Sequence, residues 1–107
     1  KMFEFDLLTT HVARMKSLFS LEKEEDTFTL YVSEKGIAVK GSSYDATLCH
    51  QYEGDAEVGT QVVIYKKYIN LLDGENYKVM VCDNKVVFRS LDTNTLLTVA
   101  VAITDED

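Results

Sequence analysis

Two apolar periods succeed one another along this chain, and they predict its elements. Met2 to Phe5 reads as a short strand, and Asp6 follows where a helix N-cap carboxylate belongs. Between Leu7 and Phe19 the apolar residues Leu8, Val12, Met15 and Phe19 are spaced 4, 3 and 4, which is one face of a helix. Thr10, Arg14 and Ser17 lie opposite, with His11 and Lys16 at the flanks. Ser20 to Asp26 is a polar, acidic connection. Thr27 to Ser33 then alternates with Phe28, Leu30 and Val32 on one side, as a half-buried strand does. Glu34-Lys35-Gly36 is a turn, Ile37 to Lys40 a strand, Gly41 to Asp45 a loop and Ala46 to Tyr52 another strand.

The acidic, glycine-containing stretch Glu53 to Gly59 leads into a second series. Gln61 to Tyr65 is β-branched and strand-like. Tyr65, Ile69 and Leu72 are spaced 4 and 3, which predicts a short helix with Lys67 and Asn70 opposite its apolar face and Lys66 beside them. Gly74 is placed to end it as a left-handed cap. Strands follow at Tyr77–Cys82, Lys85–Ser90 and, after a loop at Leu91–Asn94, Thr95–Thr104. No proline interrupts any of them.

The second series repeats the first. With Leu30 set on Val79 and no gap allowed, Leu30/Val79, Tyr31/Met80, Val32/Val81, Ile37/Val86, Ala38/Val87, Val39/Phe88, Leu48/Leu97 and Tyr52/Val101 are all apolar pairs. Glu34 falls on Asp83 at a turn and Lys40 on Arg89 at a strand end. The chain is thus a doubled β-α-β-β-β unit, with halves of approximately 2–53 and 60–104 in one domain spanning 1–107. The expected class is α+β: two helices packed on one face of an antiparallel sheet, with 105–107 as the start of a connector or an acidic tail.

Composition narrows the function. The chain has 107 residues, enough for one core, and no apolar run near the roughly 18 residues of a membrane span. The opening KMFEFDLL lacks the pattern of a signal peptide, and two cysteines without an export signal point to free thiols in a reducing compartment. The formal net charge of -7 argues against nucleic acid when taken alone. The distribution of charge argues the other way. Acids crowd into 22–26, 53–57 and 105–107, whereas the helical stretches 7–19 and 66–72 hold Arg14, Lys16, Lys66 and Lys67 and no acid. Side by side, two such helices present one basic surface on an acidic protein; a merely solvated helix face is the commoner reason for a few surface lysines.

No catalytic constellation emerges. Cys49 and His50 are adjacent on a predicted strand, so their side chains point to opposite faces. The two histidines and two cysteines have no metal-ligand spacing, and no glycine-rich phosphate loop is present. Met15 and Met80 read as core. The expectation is a protein that is not an enzyme and takes no cofactor or metal.

The doubled unit and several local strings resemble the N-terminal domain of the sliding DNA clamps of the PCNA (proliferating cell nuclear antigen) family. Met2-Phe3-Glu4 resembles the family's opening. Gly36-Ile37, the loop Gly41-Ser42-Ser43-Tyr44 and Ala46-Thr47-Leu48 are similar to its G-[VI]…D-[SP]-S-H-V-[SA]-L segment. Ile103-Thr104-Asp105 resembles the point where the first domain runs into the interdomain connector. The resemblance implies a ring-forming processivity factor that tethers DNA polymerase and other clamp-binding proteins to duplex DNA without reading its sequence. It further implies loading by a clamp loader and an intracellular, DNA-associated location. Carried onto this chain, the DNA-facing basic residues are Arg14, Lys16, Lys66 and Lys67, with His11 a weaker candidate. Tyr44, Asp45 and Leu48 are the client-groove candidates. Lys40 stands where the family has an apolar residue, and Gly41 where it has an acidic one.

Family members carry two such domains per chain and form trimers; a lone domain would need six copies and two compatible edge strands, for which Leu96–Ile103 and Tyr77–Cys82 are the candidates. Two readings of other classes stand beside the clamp. One is a clamp-like protein-interaction module that regulates or mimics a clamp without touching DNA. The other is an α+β enzyme accessory or ligand-binding domain.

Overall fold

The computed structural model describes residues 2–72 and 74–102. In chain order they form β1 (Phe3–Leu7), α1 (Thr9–Phe19), β2 (Thr27–Ser33), β3 (Gly36–Lys40), β4 (Asp45–Cys49), β5 (Glu53–Gly54), β6 (Gln61–Tyr65), a 3₁₀ helix (Lys66–Leu71), β7 (Tyr77–Val81), β8 (Lys85–Ser90) and β9 (Leu96–Ala100). The class is α+β as expected, but there are two antiparallel sheets rather than one, ordered β4-β3-β2-β6 and β5-β1-β7-β8-β9.

The four-strand order recurs as β9-β8-β7-β1 in the second sheet, to which β5 is added at the edge. Each half contributes a three-strand meander, and each half's first strand leaves to complete the other's sheet. Strand β6 lies along β2 with Phe28 opposite Ile64 and Leu30 opposite Val62. Strand β1 lies along β7 with Tyr77 opposite Leu7 and Val79 opposite Phe5. The inward residues of both sheets, with Val12 and Met15 of α1 and Ile69 and Leu72 of the second half, form a single buried cluster. Neither half can bury its apolar face alone, so the repeat folds as one unit.

The ungapped register of the repeat holds through two strands and then slips. Val39 faces Ala46, whereas its counterpart Phe88 faces Leu97. Ala46, not Leu48, is therefore the structural mate of Leu97. A bulge places Leu48 between Thr47, opposite Ala38, and Cys49, opposite Ile37. An extra residue of this kind bends the strand and shifts its remaining pairing.

Several boundaries also move. Asp6 is not an N-cap: it is an exposed residue of β1 whose carboxylate pairs with Lys78 at 3.0 Å. Helix α1 starts at Thr9. The second helix is a six-residue 3₁₀ turn, because only residues 66–76 separate β6 from β7, against 8–26 between β1 and β2. Gly74 is not left-handed; Leu72 ends this helix in an extended conformation. Strand β4 stops at Cys49, and β5 is a separate two-residue strand pairing with β1. Strand β9 is a sheet edge as expected, but β7 lies between β1 and β8 and is not one. Residues 103–105, where the connector was expected to begin, lie outside the described residues.

Ile64 is 1% exposed and sits on the strand lent to the other half's sheet. Ile64→Ala should cost about 3 kcal/mol, as large-to-small core changes do. Because the halves are interlocked, urea unfolding followed by tyrosine fluorescence and by far-ultraviolet dichroism should still give one coincident transition. Two separated transitions would show that the halves fold independently.

Candidate nucleic-acid interface

The strand exchange sets α1 and the 3₁₀ helix against each other, as their contacts show. Each helix follows directly from a first strand, and the residues turned from the core are mostly polar or basic, with Ala13 on α1 and Leu71, 59% exposed, on the 3₁₀ helix as the apolar exceptions. Thr9, Thr10, Arg14, Lys16 and Ser17 are exposed on α1, and Lys67 and Asn70 on the 3₁₀ helix. Neither helix contains an acid. The expected co-location of the two cation-bearing segments is therefore present. Tyr65 departs from its expected place on the apolar face and is exposed at 36%.

The five DNA-facing candidates divide by what their side chains already do. Arg14 donates from Nη1 to the carbonyl of Thr47 at 2.9 Å, so α1 is pinned to the edge strand β4. Lys66 is half-buried, with Nζ donating to the carbonyl of Glu22 at 2.7 Å and lying 5.3 Å from the centre of the Phe19 ring. Both side chains anchor elements of the fold. Lys67 is exposed and lies 5.5 Å from the ring centres of both Tyr65 and Tyr68, which meet edge to face at 6.1 Å. Lys16 is exposed beside the cleft between α1 and the segment after the 3₁₀ helix. Among the described residues, Lys16 and Lys67 are the helix cations with no hydrogen bond inside the protein.

His11 does local work instead. Leu8 offers no side-chain cap to α1, and the His11 Nδ1 reaches back to accept the Leu8 N–H at 3.0 Å. This is the return half of a capping box with an imidazole in place of Glu or Gln. Burial, and then the neighbouring Arg14 charge, hold the His11 pKa below the usual value of 6.5.

The three client-groove candidates do not form an open pocket. Tyr44 is buried, with its ring 6.4 Å from that of Phe19, and Leu48 is buried with it in the core. Burial and the adjacent Glu22 push the Tyr44 hydroxyl up to about 12. Asp45 is exposed and accepts the Tyr31 hydroxyl, a bond that leads the causes holding the Tyr31 pKa at about 12. Lys40 stacks over the same Tyr31 ring at 4.9 Å. The loop is fastened from beneath by Glu22, whose carboxylate accepts the Ser43 N–H. A Cβ on Gly41 would run into that carboxylate and approach the Tyr44 ring at 2.9 Å. A glycine at position 41 is therefore what lets Glu22 and Tyr44 close over each other. Glu22 escaped sequence reasoning because it sits in an acidic run that reads as solvated; only its contacts mark it.

Catalytic alternatives gain nothing. Burial raises the Cys49 thiol, which disfavours the nucleophilic thiolate, and His50 is exposed and bonded to the Lys35 carbonyl at 3.0 Å. Among the described residues no group of three or more His, Cys, Asp or Glu side chains is placed to hold a metal, and no helix is long and apolar enough to cross a membrane. Comparison with protein-family models, with curated proteins and with solved structures found no match to this chain.

Two outcomes follow for these contacts. Because the folded-state pKa of His11 is depressed, its contribution to stability is complete above 6.5 and is lost as pH falls below that value toward the folded-state pKa. His11→Ala should lower stability by about 1 kcal/mol near neutrality and remove that component of the pH dependence, as urea melts at several pH values would show. Gly41→Ala should destabilise by about 1–3 kcal/mol through overpacking. An unchanged urea midpoint for that variant would mean the loop is not closed over Glu22.

Proposed function

We propose that this chain is a DNA sliding-clamp domain, a non-catalytic scaffold that holds polymerases and other proteins on duplex DNA. The observation that carries the reading is the interlocked repeat. Two halves exchange first strands, and each exchange delivers an acid-free helix to the same surface. A ring that must slide cannot make base-specific contacts, since those would pin it in place. It needs diffuse attraction to phosphate from long, exposed side chains, and Lys16 and Lys67 are of that kind. Neither helix carries an acid, although the acidic run 22–26 and Glu75 border them. A closed ring, whether a trimer of two-domain chains or six copies of one domain, would multiply these few contacts around the duplex. A clamp loader would be needed to open it.

A second reading, a clamp-like module that binds protein without DNA, is favoured by one observation. Arg14 and Lys66, two of the four helical cations, spend hydrogen bonds inside the protein.

One pair of substitutions separates the two. The double variant K16E/K67E touches neither anchor, so it should remain folded. If the helix surface meets DNA, its affinity for a short duplex at low salt should fall. Losing two phosphate contacts per chain should reduce the slope of log K against log salt by about 1.8. Fluorescence anisotropy with a labelled duplex measures both. Equal affinity and slope for parent and variant would sink the DNA reading and leave the second one standing.

A further inference from the structure

The outward face of the five-stranded sheet carries an apolar cavity with an acidic rim, at the end of the domain where β7 turns into β8. It encloses about 540 Å³ and is lined by residues of β5, β1, β7 and β8 and of the segments beside them. Its floor is built from residues that alternate out of the core. Phe3 and Val81 face each other inward, so the next pair, Glu4 and Met80, faces outward, and Val87 lies opposite Met80 on the following strand. Met80 and Val87 are half-buried on the face where an antiparallel sheet is ordinarily polar, and Met2 is 54% exposed beside them. Glu4, Glu53 and Asp55 stand around this floor, with Lys85 the one cation among the described lining residues. Gly54 makes the rim possible. It is left-handed at φ 131°, and a Cβ there would come within 2.7 Å of the Phe3 Cα.

We propose that this cavity is a docking groove for an extended segment of a partner protein that carries apolar side chains flanked by Lys or Arg. Three features select that occupant. The volume lies in the range of concave ligand sites, large enough to take apolar side chains. Two of the three methionines of the chain line it, and methionine is the residue that adapts to varied apolar partners. Among the described residues the lining carries the carboxylates of Glu4, Glu53 and Asp55, the last already accepting the Met2 N–H, against the Lys85 ammonium group, a balance that favours a basic segment over an acidic one. The proposal does not depend on the DNA reading: the groove is on a sheet, away from α1 and the 3₁₀ helix, and none of its lining residues belongs to either helix.

The test uses the whole chain, labelled with ¹⁵N, and two amidated heptapeptides. One is Lys-Val-Lys-Leu-Arg-Phe-Lys; in the other every basic residue is replaced by Glu. The basic peptide should produce saturable amide shifts centred on Glu4, Glu53, Met80 and Val87, and the acidic peptide should produce none there. E4Q/E53Q should weaken the basic peptide roughly fivefold, in line with modest rim charges. M80S/V87S should abolish saturable binding while the spectrum stays dispersed. Three results would overturn the proposal. The first is no saturable shift at these amides, or equal shifts from both peptides. The second is shifts confined to the acidic run 22–26, which would be charge attraction alone. The third is concentration-dependent shifts at the groove amides without peptide, which would show a second copy covering the face.

Discussion

The pairing of β1 with β7 and of β6 with β2 is the constraint on which the rest of the molecule depends. Each pairing joins strands from different halves, so each half's apolar meander is completed by the other's leading strand. Phe5 against Val79 and Phe28 against Ile64 are cross-strand contacts and core contacts at once. The strands that cross also dictate where the helices begin. Leu7 ends one crossing and Tyr65 the other, and the chain turns into a helix within two residues of each. The juxtaposed helices are thus a product of strand exchange, to which the Lys66 ammonium over the Phe19 ring adds a direct contact.

The same constraint explains the asymmetry between the halves. Between β1 and β2 the chain has room for eleven helical residues and an acidic connection. Between β6 and β7 it has room for a six-residue 3₁₀ turn. The longer connection folds back far enough for Glu22 to reach beneath the loop after β3, and for its carbonyl to take the Lys66 ammonium. Arg14 fastens α1 to β4 in a comparable way. Cations that look alike in the sequence therefore differ in kind. Two hold the helices in place, and two face solvent.

The protein consequently offers two surfaces of opposite character on different elements. The helices carry cations and no acids, and the outward side of the five-stranded sheet carries a methionine-floored groove with an acidic rim. The proposed scaffold role would need such separation. A surface suited to phosphate would repel a basic protein segment, and a surface suited to that segment would repel DNA. Placing them on helix and sheet keeps the two attractions from competing for one ligand.

Much of the architecture was legible in the sequence because binary patterning reports which residues a strand or helix must bury. The alternation of Phe28, Leu30 and Val32, the helical spacing of Val12 and Met15, and the repetition of Leu30–Val39 in Val79–Phe88 all rest on local periodicity. The third strand of the repeat was misaligned because a bulge changes register without leaving a compositional mark. Met80 read as core because an apolar run conceals its own parity; the inward Val79 and Val81 identify it as outward only once the sheet is known. Tyr44 read as a groove wall, yet Glu22 and Gly41, distant in sequence or apparently unremarkable, close the loop over it. The sequence by itself determined the class, the repeat and the segregation of charge, since each is a property of neighbours along the chain. The tertiary structure alone decided which strands pair across the halves, which cations are anchors, and where the apolar groove lies. Those depend on contacts between residues tens of positions apart, which no local pattern encodes.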